Sequence, residues 1–367
     1  MGFIYMVVCA LLTVYSFTLL GYASKKTGQY NYEILVGTLM GKGGDYCAAV
    51  FLFLLSFGAE IAYAGSVRDA AAQFLDNSKS TPAYLKTTSG HRLIGALLWL
   101  GFMLPLCLPK EINSLRYLSF FAIIFILFFV VCMVIHSAMN GLQEDQHYVL
   151  FQKGNKAITP IGNFLFCFGS QINYHGVASE LYKPTIKRIT LSATLGVVIS
   201  FVVYAVGGLF GYLDFGAAVN SRSSLQLYNP IAEPLFAVCY VGMMFKLCVG
   251  YGMHMYPVRD AVYHFVGTNV HRVPWWLNCI VCTILATATL LCGLFIPKIN
   301  LVFGLMGSLC SGFVGFVFPA WLYMYTGNWH LRTIGFFHYF ATYLLLLVGI
   351  VGVIWGTAAT IYADAVP

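Results

Sequence analysis

The stretch AITPIGNFLFCFGSQINYHGVASELYKP, residues Ala157–Pro184, decides the fold of this chain. It begins as an apolar membrane helix and then becomes a run of Gly, Ser, Gln, Asn, Tyr and His at bilayer depth. Backbone inside hydrocarbon must satisfy its own hydrogen bonds, so a polar interruption persists only where it faces protein or a watery cavity. In secondary transporters, such broken helices build the substrate site near the middle of the membrane. The stretch therefore predicts a solute transporter.

The composition of the whole chain indicates a polytopic membrane protein. Hydrophobic residues make up 59% of the 367 residues and charged residues 9%, and apolar runs long enough to cross a bilayer recur from end to end. We therefore predict one all-α membrane domain over 1–367 with about ten spans. Their approximate limits are 2–23, 48–68, 93–108, 118–136, 159–181, 190–213, 232–255, 275–296, 301–325 and 334–361.

The net charge of +7 would suggest a nucleic-acid partner in a soluble protein. Here the basic residues lie in short loops, where they set the orientation of the chain, and no nucleic acid is expected. The positive-inside rule places both termini outside. It places in the cytoplasm the loops with Lys25, Lys26, Lys42, Lys110, Arg116, Lys183, Lys187, Arg188, Arg259, Arg272 and Arg332. The span lengths fit the plasma membrane and internal organelle membranes alike.

Chemistry other than transport has little support in the sequence. The eleven cysteines lie almost wholly within spans, where single thiols behave as small hydrophobes. Cys279 and Cys282 form a CxxC motif, but it lies inside a membrane helix without a second ligand pair. No carboxylate pair, histidine cluster or nucleophile–base arrangement occurs at helical spacing. We therefore expect no enzyme activity, no cofactor and no metal site.

Five motifs occur in one order from the third span to near the C-terminus. They are PLCLPKEINSLRYLSF at Pro105–Phe120, the broken stretch, FGYLDFG at Phe210–Gly216, YPVRD at Tyr256–Asp260 and GLMGSLCSGFVGFVFPAWLY at Gly304–Tyr323. In this order they resemble the amino acid/auxin permease family. The resemblance implies a proton- or sodium-coupled amino acid transporter of the APC superfamily. It also implies the LeuT-like fold, in which two five-helix units repeat in opposite orientation.

One helix of the family pattern has no counterpart in this chain. Family members have eleven spans and a cytoplasmic N-terminus. If the broken helix is aligned with the sixth helix of the family, Met1 falls at the start of the family's second helix. In this architecture the missing first helix supplies the other half of the substrate site. An incomplete chain is the expectation, and a defective paralogue is the alternative.

Substrate-binding residues are expected at the break and in the second span. Glycine at 169 would relieve steric limits on the backbone, and an unwound turn would expose N–H groups that suit a substrate carboxylate. Close helix packing is the alternative for the small residues, although several unsatisfied polar groups in lipid would be costly. The predicted substrate-binding residues are Gly169, Ser170, Gln171, Asn173, Tyr174, Glu60 and Tyr63.

Ionisable residues at membrane depth are functional candidates. Glu60 would bind a cationic substrate, or carry the coupled proton if burial favours its protonated form. Lys246, in VGMMFKLCVGYG, would stand where a sodium ion binds, which leaves protons as the driving ion. A Glu60–Lys246 ion pair would satisfy both charges equally well. The predicted ion-coupling residues are Lys246, Glu180 and His175. For Glu180 the alternative is an interfacial ion pair with a neighbouring basic residue. For His175 it is a simple hydrogen bond to a neighbour.

The leading hypothesis is a secondary active symporter that moves cationic or small neutral amino acids by alternating access around 164–181. The missing helix motivates an alternative: a non-transporting paralogue that senses amino acids or associates with a full-length permease. A carrier of the drug/metabolite kind would explain ten spans but neither the ordered motifs nor the polar break. A channel is disfavoured because no span shows a ring of pore-lining charges.

Overall fold

The computed structural model describes residues 1–140, 149, 151, 153–174, 176, 178, 181–220, 223–268, 270–296, 299–327 and 329–365. Within these residues, nine helices are long and apolar enough to cross a membrane, and the elements of this part of the chain are helical. The predicted fold class, an all-α polytopic membrane protein, is confirmed.

The helices that matter for the site are numbered in chain order. They are α1 (Gly2–Thr27), α2 (Tyr32–Met40), α3 (Gly44–Asn77), α4 (Thr88–Cys107), α5 (Arg116–Asn140), α6 (Pro160–Cys167), α7 (Ile186–Phe215), α8 (Pro234–Phe265), α9 (Trp275–Phe295), α10 (Leu301–Tyr325) and α11 (Phe336–Ala363). Helices α3 and α8 continue roughly two and a half to three turns past their predicted C-terminal limits. Polar residues there lower the hydropathy without ending the helix.

Short sequence signals set several helix ends. Helix α1 stops at Thr27 because Gly28 adopts the left-handed conformation (φ 72°), and its N–H donates to the Ser24 carbonyl at 2.8 Å. The Asn31 side chain accepts the Ile34 N–H at 3.1 Å and so begins α2. Thr87 does the same for α4, accepting the Gly90 N–H at 3.2 Å. These caps place the short loops at the two faces of the bundle.

Burial separates the inner helices from those at the periphery. The apolar window of α10 is 67% buried and that of α7 only 11%, so α10 lies inside the bundle and α7 faces lipid. Helix α3 packs along α8 and also contacts α9 and α10. The first half of the broken helix, α6, packs on α10 with glycine against glycine. A Cβ at Gly307 would overlap the Gly162 carbonyl oxygen, and a Cβ at Gly162 would overlap that of Gly304.

Helix α10 is irregular where it faces the break. It contains π-helical turns at Met306–Ser311 and Phe313–Val317, and such bulges leave backbone carbonyls to be satisfied by other groups. The Ser16 hydroxyl donates to the Gly315 carbonyl at 2.5 Å, and the Tyr32 hydroxyl donates to the Val314 carbonyl at 2.6 Å. The irregular part of α10 is therefore held in one shape by α1 and α2.

Candidate functional site

The predicted break in the fifth span begins where α6 ends. Phe168 (φ −100°, ψ 3°) and Gly169 (φ −74°, ψ 47°) leave helical geometry. The Gly169 N–H donates to the Phe166 carbonyl at 3.0 Å and the Ser170 N–H to the Phe168 carbonyl at 2.8 Å, in place of helical bonds to the fourth residue back. A Cβ at position 169 would lie 2.6 Å from the Ser311 hydroxyl oxygen, so glycine allows the close approach to α10.

A cavity of about 600 Å³ adjoins the break, a volume within the range of small-molecule sites. Helices α3, α5, α6, α7, α8 and α10 contribute to its wall, together with the 3₁₀ turn after α6 and the segment 223–226. The lining residues are Leu55, Tyr63, Ser66, Ala70, Phe129, Asn163, Phe166, Cys167, Gly169, Ser170, Ile172, Asn173, Tyr204, Ser223, Ser224, Leu225, Gln226, Met243, Lys246, Leu247, His254 and Phe303.

Five of the predicted site residues lie on this wall. They are Gly169, Ser170, Asn173, Tyr63 and Lys246. The structure thus brings the break in the fifth span together with the second and seventh spans, which carry Tyr63 and Lys246. The cavity is polar at the break, on one side of α8 and along the segment 223–226, and mostly apolar elsewhere.

Gln171 and Tyr174 were also predicted to bind substrate, but they face away from the cavity. Residues 170–173 form a 3₁₀ turn, in which side chains three apart lie on one side. Ser170 and Asn173 therefore share the cavity side, and Gln171 and Tyr174 share the other. The Tyr174 hydroxyl donates to the Ser24 hydroxyl at 2.8 Å. Gln171 is fully buried with its amide beside Gly315.

Glu60 does not line the cavity either. Its side chain is fully buried in α3, and neither carboxylate oxygen has a hydrogen-bond partner within the described ranges. The ion pair with Lys246 is not formed: no acidic oxygen of the residues placed by the structure lies within 4.0 Å of the Lys246 ammonium. The other two predicted ion-coupling residues, His175 and Glu180, lie outside the described residues.

One face of α8 forms the charged wall of the cavity. Lys246, Gly250 and His254 are spaced four residues apart, so they lie along one side of the helix. The Tyr63 ring of α3 lies over Gly250, where a Cβ would be 3.0 Å from the ring. The Lys246 ammonium is 5.4 Å from the centre of this ring, and the His254 ring packs edge-on against it at 5.5 Å.

Two further polar residues that line the cavity are not among the predicted site residues. His254 is one of them, and its Nδ1 has no partner in the part of the chain that is described. Asn163 lines the cavity with its Oδ1 equally unpartnered. The spacing Lys246–Gly250–His254 is the signal that would have found the wall. Asn163 gives a second signal, as a polar residue in an otherwise apolar run.

The outer wall of the cavity, at the face that the charge pattern places outside, is a short helix, Ser224–Leu227. The Tyr240 hydroxyl donates to the carbonyls of Leu225 (2.5 Å) and Tyr228 (3.2 Å), and the Tyr228 ring stacks on Phe236 at 3.8 Å. These contacts fix the short helix to the start of α8.

An acidic side chain secures the same wall. The Tyr228 hydroxyl donates to Asp214 Oδ2 at 2.5 Å, and His136 Nδ1 lies 3.1 Å from that oxygen. Burial, together with the bond to Asp214, raises the pKa of the Tyr228 phenol well above its usual value. The phenol therefore remains a hydrogen-bond donor throughout the neutral range.

A helical bundle with a broken span and a partly polar cavity beside the break defines a polytopic membrane transporter. Comparison with known families agrees: the family model described as "Transmembrane amino acid transporter protein" matches residues 1–362. The chain belongs to this family. It is therefore a multi-pass integral membrane protein and a transporter rather than an enzyme.

A curated relative is the sodium-coupled neutral amino acid symporter 2 of Danio rerio. It is 23% identical to this chain over 355 residues, which cover 88% of this chain and 68% of the relative. The similarity extends through the break and the cavity-lining helices.

Proposed function

We propose that the protein is a secondary active symporter that moves small neutral amino acids by alternating access around the break at 164–181, driven by protons. The family membership supports amino acid transport. The cavity has the volume of a small-ligand site, and Gly169, Ser170 and Asn173 offer backbone and polar groups from the break. Broken helices in such transporters present these groups to the substrate.

Lys246 is the observation that carries the proposal. Its ammonium lies on the cavity wall against the Tyr63 ring, and no carboxylate stands within ion-pair distance among the residues described. A positive charge at this place repels a cationic side chain and suits a substrate carboxylate. Since Glu60 lies outside the cavity, small neutral amino acids fit better than the cationic ones.

Lys246 also bears on the driving ion. The zebrafish relative is named a sodium-coupled symporter. An ammonium fixed in the cavity supplies the positive charge that a bound sodium ion would otherwise bring beside the substrate. We therefore propose that this chain, in which the charge is covalently attached, couples transport to protons rather than to sodium.

The test is uptake by the purified protein in proteoliposomes. We expect an inward proton gradient to drive accumulation of L-alanine, with no change when sodium is replaced by choline, and no accumulation of L-arginine. Lys246→Met should lower alanine uptake by about 10- to 100-fold, the equivalent of 1.5–3 kcal/mol for a charge-assisted hydrogen bond. The matched variant Lys246→Arg keeps the charge and should retain more activity.

Three results would contradict the proposal. Sodium-dependent uptake would rule out proton coupling, and arginine uptake equal to alanine uptake would rule out the substrate class. A wild-type protein that takes up neither amino acid but co-purifies with a longer permease would favour the sensor or partner-subunit alternative.

A further inference from the structure

We propose that Glu60 carries the coupled proton. The inference rests on the proposed proton-driven function and names the residue that links the proton to the conformation of the bundle. Glu60 lies one helical turn before Tyr63 on α3, directly behind the charged wall of the cavity, and it is not part of that wall. It is a fully buried acid in a protein whose other described acids reach solvent or a partner.

The carboxyl group of Glu60 is not satisfied by its neighbours. Neither of its oxygens has a hydrogen-bond partner in the described part of the chain, and the same holds for the Ser56 hydroxyl one turn earlier. The Thr289 hydroxyl of α9 lies beside the carboxyl. However, it donates to the Ala286 carbonyl at 3.0 Å and shares a 2.6 Å bond with the Tyr251 hydroxyl.

No positive charge among the described residues compensates this acid. The titratable groups that face it are Cys107 from α4, Tyr251 from α8 and Cys282 from α9, and thiols and phenols are uncharged at neutral pH. Arg68, two turns further along α3, pairs with Asp69 at 2.7 Å and donates to the carbonyls of Gly293 and Leu294.

Lys246, the other nearby cation, projects into the cavity and contacts Tyr63. An ionised carboxylate buried without a partner is so costly that it takes up a proton instead. The structure therefore holds Glu60 as the neutral acid.

A proton suits this site better than a metal cation does. Hard cations require about six oxygen ligands. Around Glu60, the unpartnered side-chain oxygens of the described residues are the two carboxyl oxygens and the Ser56 hydroxyl, which are too few. The rest of the surroundings belongs to an apolar cluster that includes Trp99, Met103 and Leu290. The neutral carboxylic acid matches such surroundings because it carries no charge.

The position of Glu60 connects its protonation to access. Of the cavity-lining residues of α3, Tyr63 is the nearest to Glu60 along the helix, and its ring packs on Gly250. In the proposal this ring is the layer that covers Glu60, and Tyr251 follows Gly250 in α8. When this layer opens and water reaches the carboxyl, its O–H bond can break and the proton passes to water. Closing the layer over the carboxylate would bury an uncompensated charge at a cost of several kcal/mol. Reclosure therefore requires a proton, which is the condition for coupling.

The experiment compares net accumulation with exchange in proteoliposomes that contain the full chain. A gradient of one pH unit should drive about tenfold accumulation of L-alanine by the wild type if one proton accompanies each substrate. Glu60→Gln mimics the protonated acid, so its accumulation ratio should fall to about one while alanine counterflow, which needs no net proton movement, continues. Ser56→Ala, one turn away on the same face and without a titratable group, should accumulate alanine like the wild type.

Each outcome bears on a different proposal. A wild type without proton-driven accumulation overturns the proposed coupling itself. A Glu60→Gln protein that still accumulates alanine tenfold leaves that coupling intact and overturns the role of Glu60. If Glu60→Gln does not fold, Glu60→Asp decides: it keeps an acid at a different depth, so a shifted pH profile of accumulation supports the role and an unshifted profile overturns it.

Discussion

Arg259 and Glu60 are both buried in the bundle, and their surroundings are opposite. Arg259 is 1% exposed at the end of α8 that the charge pattern places in the cytoplasm. Its guanidinium donates to the carbonyls of Pro109 (3.2 Å) and Lys110 (3.1 Å) and to Asp260. Glu60 is buried as completely but has no hydrogen bond of its own in the described residues.

The region around Arg259 works as an anchor between helices. The Tyr256 ring lies 5.1 Å from the guanidinium, and its hydroxyl donates to the Glu111 carbonyl at 2.8 Å. Asn278 of α9 donates to the Leu108 carbonyl at 3.0 Å. Backbone carbonyls that follow α4, where helical bonds have ended, thus obtain donors from α8 and α9.

The difference between the two regions separates two uses of a buried charge. A charge whose hydrogen bonds are all made stabilises one arrangement of helices, and removing it leaves its partners unsatisfied. A buried ionisable group without partners contributes nothing comparable to that arrangement. Such a group is better suited to a change of charge during function. Stability measurements test this distinction.

Arg259→Leu should have the largest effect on stability. It leaves the carbonyls of Pro109 and Lys110 without donors, so we expect a loss of about 3 kcal/mol in the free energy of unfolding. The measurement is denaturant unfolding in detergent, followed by tryptophan fluorescence. Arg116→Leu, an exposed residue on the same face, is the control and should change stability by less than about 0.5 kcal/mol. Equal losses of stability in the two variants would show that the buried hydrogen bonds of Arg259 do not hold these helices together.

Asp214→Asn should have an intermediate effect. Asp214 is 3% exposed and accepts the Tyr228 hydroxyl at 2.5 Å, so losing its charge should cost about 1–2 kcal/mol. The same unfolding assay measures it. Asp76→Asn is the control, because Asp76 contacts His91 at 3.0 Å but is 46% exposed, and exposed pairs contribute little. A larger loss in the control would show that burial does not decide the value of these contacts.

Glu60→Gln should have the smallest effect, within about 1 kcal/mol of the wild type and in either direction. A neutral acid is replaced by a neutral amide of similar shape, and no ion pair is broken. The assay is again unfolding in detergent, with Arg259→Leu as the reference. A loss of stability as large as that of Arg259→Leu would show that Glu60 also has a structural role. It would contradict the difference proposed between the two regions.

The sequence predicted the architecture well because its signals are local. Long apolar runs specify membrane helices, and the polar run after Gly169 specifies the break. Where a helix ends is less visible: α3 and α8 extend beyond their predicted limits because polar residues such as Gln73 and His264 also continue a helix.

The side-chain arrangement was only partly predictable. The polar run after Gly169 predicts that Gln171 and Tyr174 bind substrate together with Ser170 and Asn173. The 3₁₀ turn instead directs Ser170 and Asn173 to one side and Gln171 and Tyr174 to the other, and it packs against the irregular part of α10. The Glu60–Lys246 pair, one of two alternatives that the sequence leaves open, is not formed because Lys246 lies on the cavity wall against the Tyr63 ring whereas Glu60 does not line the cavity. No spacing in the sequence records that difference.

The contact between Gly162 on α6 and Gly304 and Gly307 on α10 has a mechanical consequence. A joint between two backbones contains no side-chain rotamers, so it cannot be rearranged by small torsional steps in the way an ordinary packed interface can. Moving α6 relative to α10 at this joint therefore requires the two backbones to slide or separate. Phe168 and Gly169, the non-helical residues that follow α6, are the nearest backbone without regular helical geometry.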